Sequence, residues 1–279
     1  MLEKIMHNKI NSLFRCLKKY LYMTLMLLLM LPAESAIAEI ESISSAINKA
    51  GRQRMLSQRI VATYSQVGLD IQKKKSKRQL KEAINLFEQQ LIELKDYKPA
   101  GPVNRQLKLV DELWQPMANI LTQPVSKSRV IELRKQAEEV LAASHRVVLM
   151  LEDESGTKAG RLVNLSGRQR MLSQRISNLY MLQSWGFNSP AYESDFSSSI
   201  NEFRQALHEL KKAPINTAKI NKKLKKVRKE FSILEKSTLQ REGEFIPLMV
   251  KMSADKLLVI TNDITYEYNE LAKQQVAIR

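Results

Sequence analysis

Cysteine is almost absent from this chain. The single one, Cys16, precedes an apolar run that reads as an export signal, so the mature chain is expected to hold no thiol. That excludes disulfides, cysteine nucleophiles and thiolate metal sites. Histidine is equally scarce: beyond residue 38 only His145 and His208 remain, each alone on an expected helix and more in keeping with a structural or exposed role. There is no His-x-x-x-His pair, no glycine-rich phosphate loop and no nucleophile elbow. Ser57 and Ser173 have no paired base beside them, so no enzymatic activity and no cofactor are expected. Glycine and proline number eight each in 279 residues, while Leu, Lys, Glu, Gln and Ala abound, a composition that points to an all-α fold.

Long hydrophobic runs are missing as well. The stretch from Leu21 to Leu31 follows a basic segment with Lys4, Lys9, Arg15, Lys18 and Lys19, and precedes Pro32 and Ala36-Ile37-Ala38. It is shorter than the ~20 residues a membrane helix needs. This order predicts a signal peptide over residues 1–38, cut after Ala38, and a periplasmic mature protein. An uncleaved N-terminal anchor is the other reading. The formal net charge is +16, of which the first 38 residues, with five basic against two acidic side chains, carry +3. A balance of this sign favours small oxyanions, acidic proteins, lipid head groups or cell-wall polymers. Export and the absence of a reading motif or aromatic platform argue against nucleic acid. Solvated lysine-rich faces explain most of the charge without any partner.

One stretch is present twice. Gly51-Arg52-Gln53-Arg54-Met55-Leu56-Ser57-Gln58-Arg59-Ile60 returns letter for letter at Gly167–Ile176, an offset of 116. Ten identical residues in a row are not a coincidence, and the similarity extends outward. Ile200-Asn201-x-Phe203 echoes Ile84-Asn85-x-Phe87 at the same offset, and Leu207 and Leu210 answer Leu91 and Leu94. Further on the offset is 117, pairing Trp114 with Phe231 and Leu141 with Leu258. The chain therefore reads as two tandem four-helix up-down bundles, residues 39–156 and 157–279, behind the signal peptide.

In the first bundle the helices are expected at Ile40–Val67, Gln79–Lys95, Val103–Leu121 with a break or bend at Pro116, and Ser126–Leu151. The run Lys73–Arg78 is read as a solvated loop. In the second bundle the motif helix closes at Trp185-Gly186-Phe187, the third helix ends before Gly243, and Pro247 opens the last. The joint at Gly156 and Gly160 leaves three geometries open. A tight turn would lay the two motif helices side by side as an intramolecular pseudo-dimer. A continuous helix would stack the bundles end to end, and a homodimer of whole chains is the third.

On a helical wheel at 100° per residue, Ile43, Ile47, Ala50, Gly51, Arg54, Ser57, Gln58 and Val61 share one broad face. Arg52, Met55, Leu56, Arg59 and Ile60 spread over the other side. Val163, Gly167, Arg170, Ser173 and Gln174 repeat the first pattern. Arg54 and Arg170 are thus arginines in an apolar, small-residue stripe. Either each meets a carboxylate or a helix C-terminus of its own bundle, or each is kept for an anion, because an unpaired buried charge is costly. A guanidinium is a planar fork suited to planar oxyanions. Gly51 and Gly167, each costing about 1 kcal/mol in a helix interior, are read as permitting close approach of another backbone.

The motif, with Asn48 or Asn164 before it, resembles the signature of the PilJ-type N-terminal domain of type IV pilus chemotaxis transducers. That domain is related to the periplasmic sensor domains of NarX/NarQ-type nitrate and nitrite sensor kinases, which carry Gly-x-x-Arg-Met on the first helix of a four-helix bundle. The resemblance implies an arginine from each of two subunits gripping one nitrate at the dimer interface. Here those arginines would be Arg54 and Arg170, with Gly51 and Gly167 as the matching glycines. Gln53, Leu56 and Gln58 follow the PilJ-type pattern rather than the nitrate-sensor one. Ser57, Gln58, Ser173 and Gln174 are placed to bond the ligand or orient the arginines. The expected role is an exported sensor of a small anion or other periplasmic signal that acts through a separate membrane signalling protein. The rival is a structural module docking an acidic envelope or pilus component without any small ligand.

Overall fold

The computed structural model describes residue 18 and residues 40–97, 99, 101–239 and 246–277. The expected signal peptide lies outside the described stretches. Eight helices run in order among the described residues: α1 Ile43–Gly68, α2 Lys73–Asp96, α3 Gly101–Leu121, α4 Val130–Ser155, α5 Lys158–Ser184, α6 Pro190–Lys212, α7 Ala218–Leu239 and α8 Pro247–Ala277. None of these helices is long and apolar enough to cross a membrane. The fold is all-α, as composition indicates.

Local chemistry sets the ends. Ser42 caps α1 by accepting from the Ser45 amide at 3.2 Å, and Thr157 caps α5 through Gly160 at 3.0 Å. Ser189 caps α6, where Pro190 occupies the first turn. Gly156 takes a left-handed conformation (φ 57°) after α4, and its amide returns to the carbonyls of Glu152 and Asp153. The chain reverses there within two residues, so the expected division at 156/157 falls in a turn. Two expectations are corrected. Lys73–Arg78 is no loop but the start of α2: lysine is a good helix former, and left-handed Asp70 and Gln72 make the turn before it. Ser76 anchors that first turn by donating to the Ile71 carbonyl at 2.8 Å. Helix α3 continues through Pro116, so the break expected as one alternative there is absent.

Within each half, consecutive helices pack in a ring, α1–α2–α3–α4 and α5–α6–α7–α8. The repeat is visible in the cores. Phe87 stacks on Trp114 with ring centroids 4.1 Å apart, and Phe203 stacks on Phe231 at the same 4.1 Å. Tyr64 and Tyr180 receive the backbone amides of Ser126 and Ile246, each at 2.9 Å.

The two rings meet along α1 and α5. These helices lie side by side and parallel: Gly160 sits against Ile47, Arg59 donates to Gln174 at 3.0 Å, and Asn178 donates to Gln58 at 3.1 Å. The described residues from 40 to 277 accordingly form one compact unit. Being covered by α2, α4 and α5 at once, α1 is buried all round. Met55, Leu56 and Ile60, assigned to an opposite face by the helical wheel, are therefore core residues too. Where α1 ends, the indole of Trp185 lies so close to Gly68 that a β-carbon there would clash with two of its ring carbons, Cη2 and Cζ2. Gly68→Ala is expected to cost about 1–3 kcal/mol by overpacking, read as a lower midpoint in thermal or urea unfolding.

Candidate functional site

The repeated motif brings Arg54 on α1 and Arg170 on α5 to the seam between the halves. Their side chains are 1 % and 0 % exposed. Both Nη2 atoms crowd the same spot: a β-carbon added at Gly51 would lie 3.3 Å from Arg54 Nη2 and 3.6 Å from Arg170 Nη2. At Gly167 the corresponding distances are 3.7 Å and 3.2 Å. The two glycines thus make room for two guanidinium groups rather than for a neighbouring backbone, which corrects the sequence reading of them.

The partners of these arginines are neutral. Arg54 donates from Nη2 to the Asn164 side-chain oxygen at 2.7 Å, and its Nη1 lies 3.0 Å from His145 Nδ1. Arg170 donates from Nη1 to Asn262 Oδ1 at 3.0 Å and from Nη2 to the Asn48 carbonyl at 3.2 Å. The Nε atom of each is buried with no partner. The nearby carboxylates are taken by other cations across the seam. Arg59 binds Asp255 at 3.0 Å, Arg175 binds Glu138 at 2.6 Å, and Arg134 binds Asp195 at 2.5 Å. Lys251 reaches across to Gln79 at 2.7 Å and pairs with Asp255 at 2.8 Å. The nearest approach to a counter-charge for Arg54 is indirect, through Asn164, whose amide donates to Glu152.

Burial, and then the neighbouring Arg168, push Arg54 down to about 9 against a small opposing effect of Glu152. Arg170 is held well below the usual arginine range by burial first and by Arg52 and Arg54 next. Around Asp255 the balance is opposite. Burial alone would raise its carboxyl, but Arg59, Lys251 and Gln79 override that and hold it low. The seam thus contains satisfied ion pairs and, at its centre, two cations with no anion.

The other expected site residues serve the framework. Ser57 donates to the Arg54 carbonyl at 3.0 Å and Ser173 to the Arg170 carbonyl at 2.8 Å. Both keep to their own helix. Gln58 donates to Glu138 at 3.2 Å, and Gln174 donates to the Ala254 carbonyl at 3.2 Å, so each ties its motif helix to α4 or α8. His145, read from sequence as structural or exposed, is instead a direct neighbour of Arg54. Its signal was present: the offset of 117 that pairs Leu141 with Leu258 also pairs His145 with Asn262, the residue that receives Arg170.

His145 is pushed down to about 4, by burial first and then by Arg54 and Arg168, with Glu202 opposing. Its folded value lies below the ~6.5 of an unfolded histidine, so the unfolded chain binds the extra proton between those values. Stability is complete above about pH 6.5 and is lost as pH falls toward 4. Because the ring is half-exposed, we expect a discounted loss of about 1–2 kcal/mol. Urea midpoints at pH 7 and pH 4.5 check this, with His145→Asn flattening the difference.

The family model described as type IV pili methyl-accepting chemotaxis transducer N-term matches this chain at residues 36–145 and again at 154–247. Together the two matches cover well over half of it. The chain belongs to the PilJ family. No curated protein and no solved structure matches it. Each PilJ match contains one motif helix, the first ending within α4 and the second where α8 begins, and a sensory or signalling role follows from the family.

Proposed function

We propose that this PilJ protein is an exported sensor that takes one small oxyanion of the nitrate or nitrite kind between Arg54 and Arg170. The state of that site is passed to a separate membrane signalling protein. The observation that carries the reading is the pair of buried guanidinium groups, crowded against Gly51 and Gly167 and bonded only to neutral acceptors. Uncompensated buried cations are costly, and an anion between them removes the cost on both sides. The free Nε–H groups are donors an oxyanion can accept from. Asn164, His145, Asn262 and the Asn48 carbonyl then act as positioning groups that hold the guanidinium planes. Charge neutralisation at the seam would alter how α1 and α5 press together, and the Arg59–Asp255 and Arg175–Glu138 pairs would carry that to α8 and α4. The rival reading, a docking module without a small ligand, would gain from a structural carboxylate on each arginine, and the paired acids at the seam are engaged with other cations.

The test is a thermal unfolding scan of the mature protein with nitrate, nitrite or chloride at matched ionic strength. A ligand at 100 times its Kd stabilises by about 2.7 kcal/mol. An oxyanion-specific shift that disappears in both Arg54→Ala and Arg170→Ala supports a shared site. Shifts by none of the three anions would refute it and favour protein or envelope partners.

A further inference from the structure

A cavity of about 400 Å³ opens beside the arginine pair, between α4, α5 and α6. Buried Arg54 forms part of its wall, so an anion from solvent can reach that arginine by this route. We propose that the cavity binds a small organic monocarboxylate, its carboxylate on Arg54 and its apolar body along Leu141, Ala142 and Met171. The inference rests on Arg54 being an arginine without a counter-ion, and goes beyond a nitrate-like ligand in size and in dependence on one half's arginine.

Three observations carry it. The first is charge. The acids in the wall are already neutralised: Glu202 by Arg168 at 2.5 Å, Glu138 by Arg175 at 2.6 Å, and Asp195 by Arg134 at 2.5 Å. Arg54 is the wall cation with no acid of its own, so the site has room for one negative charge. His145, accepting from Arg54 through Nδ1, carries its proton on Nε2 and is a second donor on that wall. The second is size. With about 30 Å³ per water in the liquid, the cavity of about 400 Å³ exceeds a four-atom oxyanion roughly threefold and suits a ligand of about 8–12 heavy atoms. Its volume lies in the range of small-molecule pockets rather than of single-ion sites. The third is asymmetry. Where α6 supplies Asp195, Ser199 and Glu202, the matching positions of α2 are Gln79, Ala83 and Leu86, and His145 is matched by Asn262. The polar wall belongs to one side of the seam, which predicts one organic anion per chain.

The experiment is isothermal titration of the mature protein with hexanoate and phenylacetate. Acetate serves as the size control and uncharged phenylacetamide as the charge control. We expect one site per chain for at least one of the larger acids, affinity reduced at least tenfold for acetate and phenylacetamide, and at least tenfold loss in Arg54→Met. Ala142 is at the exposed rim and its counterpart in the other half is the larger Val259, so Ala142→Trp fills the cavity from an exposed position, with unchanged helical circular dichroism as the check on folding. That variant should lose the organic acid and keep any nitrate response, while Arg170→Met should do the reverse. Nitrate binding without binding of either larger acid overturns the cavity proposal and leaves the oxyanion reading intact. Binding that survives Ala142→Trp also overturns it, and silence toward all anions overturns both.

Discussion

In a buffer poor in small anions, the Arg170→Met protein should unfold at a higher midpoint than the parent, with a gain of about 1–3 kcal/mol. The expectation runs against the usual cost of mutating a fully buried side chain, and it follows from what surrounds Arg170. Its guanidinium has left water without meeting a carboxylate, and it faces a second guanidinium, that of Arg54. A buried charge pays several kcal/mol of desolvation that only an opposite charge offsets. Methionine is flexible and nearly as long, so it fills most of the vacated space. What is lost is the pair of hydrogen bonds to Asn262 and the Asn48 carbonyl, worth about 1–3 kcal/mol each when an acceptor is stranded. Arg52 continues to donate to Asn262, which limits that loss. Added nitrate should then stabilise the parent and leave the variant unchanged. If the variant instead loses 3 kcal/mol or more in anion-free buffer, Arg170 is a structural cation with a counter-charge, and the sensing account fails at its base.

Phe203→Ala should lower stability by about 3–4 kcal/mol and should do so for the whole unit, not for its own half. Phe203 is fully buried and stacks on Phe231 inside the second ring. The halves pack along α1 and α5 and are cross-linked by the Arg59–Asp255, Arg175–Glu138 and Arg134–Asp195 pairs. Removing one ring's core should therefore drag the other. The chain has two tryptophans, Trp114 in the first ring and Trp185 in the second. With Trp185→Phe in the background, Trp114 fluorescence reports the first ring alone. Its urea midpoint should fall together with the loss of helical circular dichroism. A Trp114 midpoint that stays put while the dichroism splits into two steps would mean two independent modules.

Much of this arrangement was legible from residues alone. The letter-for-letter motif and its flanking echoes revealed two equivalent units of four helices, and the expected ends in the first unit fall within a few positions of α1, α3 and α4, while α2 starts six residues earlier than expected. Arg54 and Arg170 were identifiable because a charged residue in an apolar stripe must answer to something. Less was visible where the answer depended on long-range packing. Lys73–Arg78 looked like loop because its charge hid a strong helix propensity. Gly51 and Gly167 were understood as backbone contacts because no local rule foretells two guanidinium groups sharing one space. His145 seemed isolated along the chain, and only the closing of α4 onto α1 brings it to Arg54. The allotment of Glu138, Asp195 and Asp255 to Arg175, Arg134 and Arg59 was likewise invisible, although it is what leaves the central arginines without acids.

The most direct measurement is isothermal titration of nitrate into the mature protein, paired with Arg54→Met and Arg170→Met. A site shared by both arginines predicts one nitrate per chain, with each single substitution abolishing binding altogether. Two nitrates per chain, or binding that survives either substitution, would contradict the shared site.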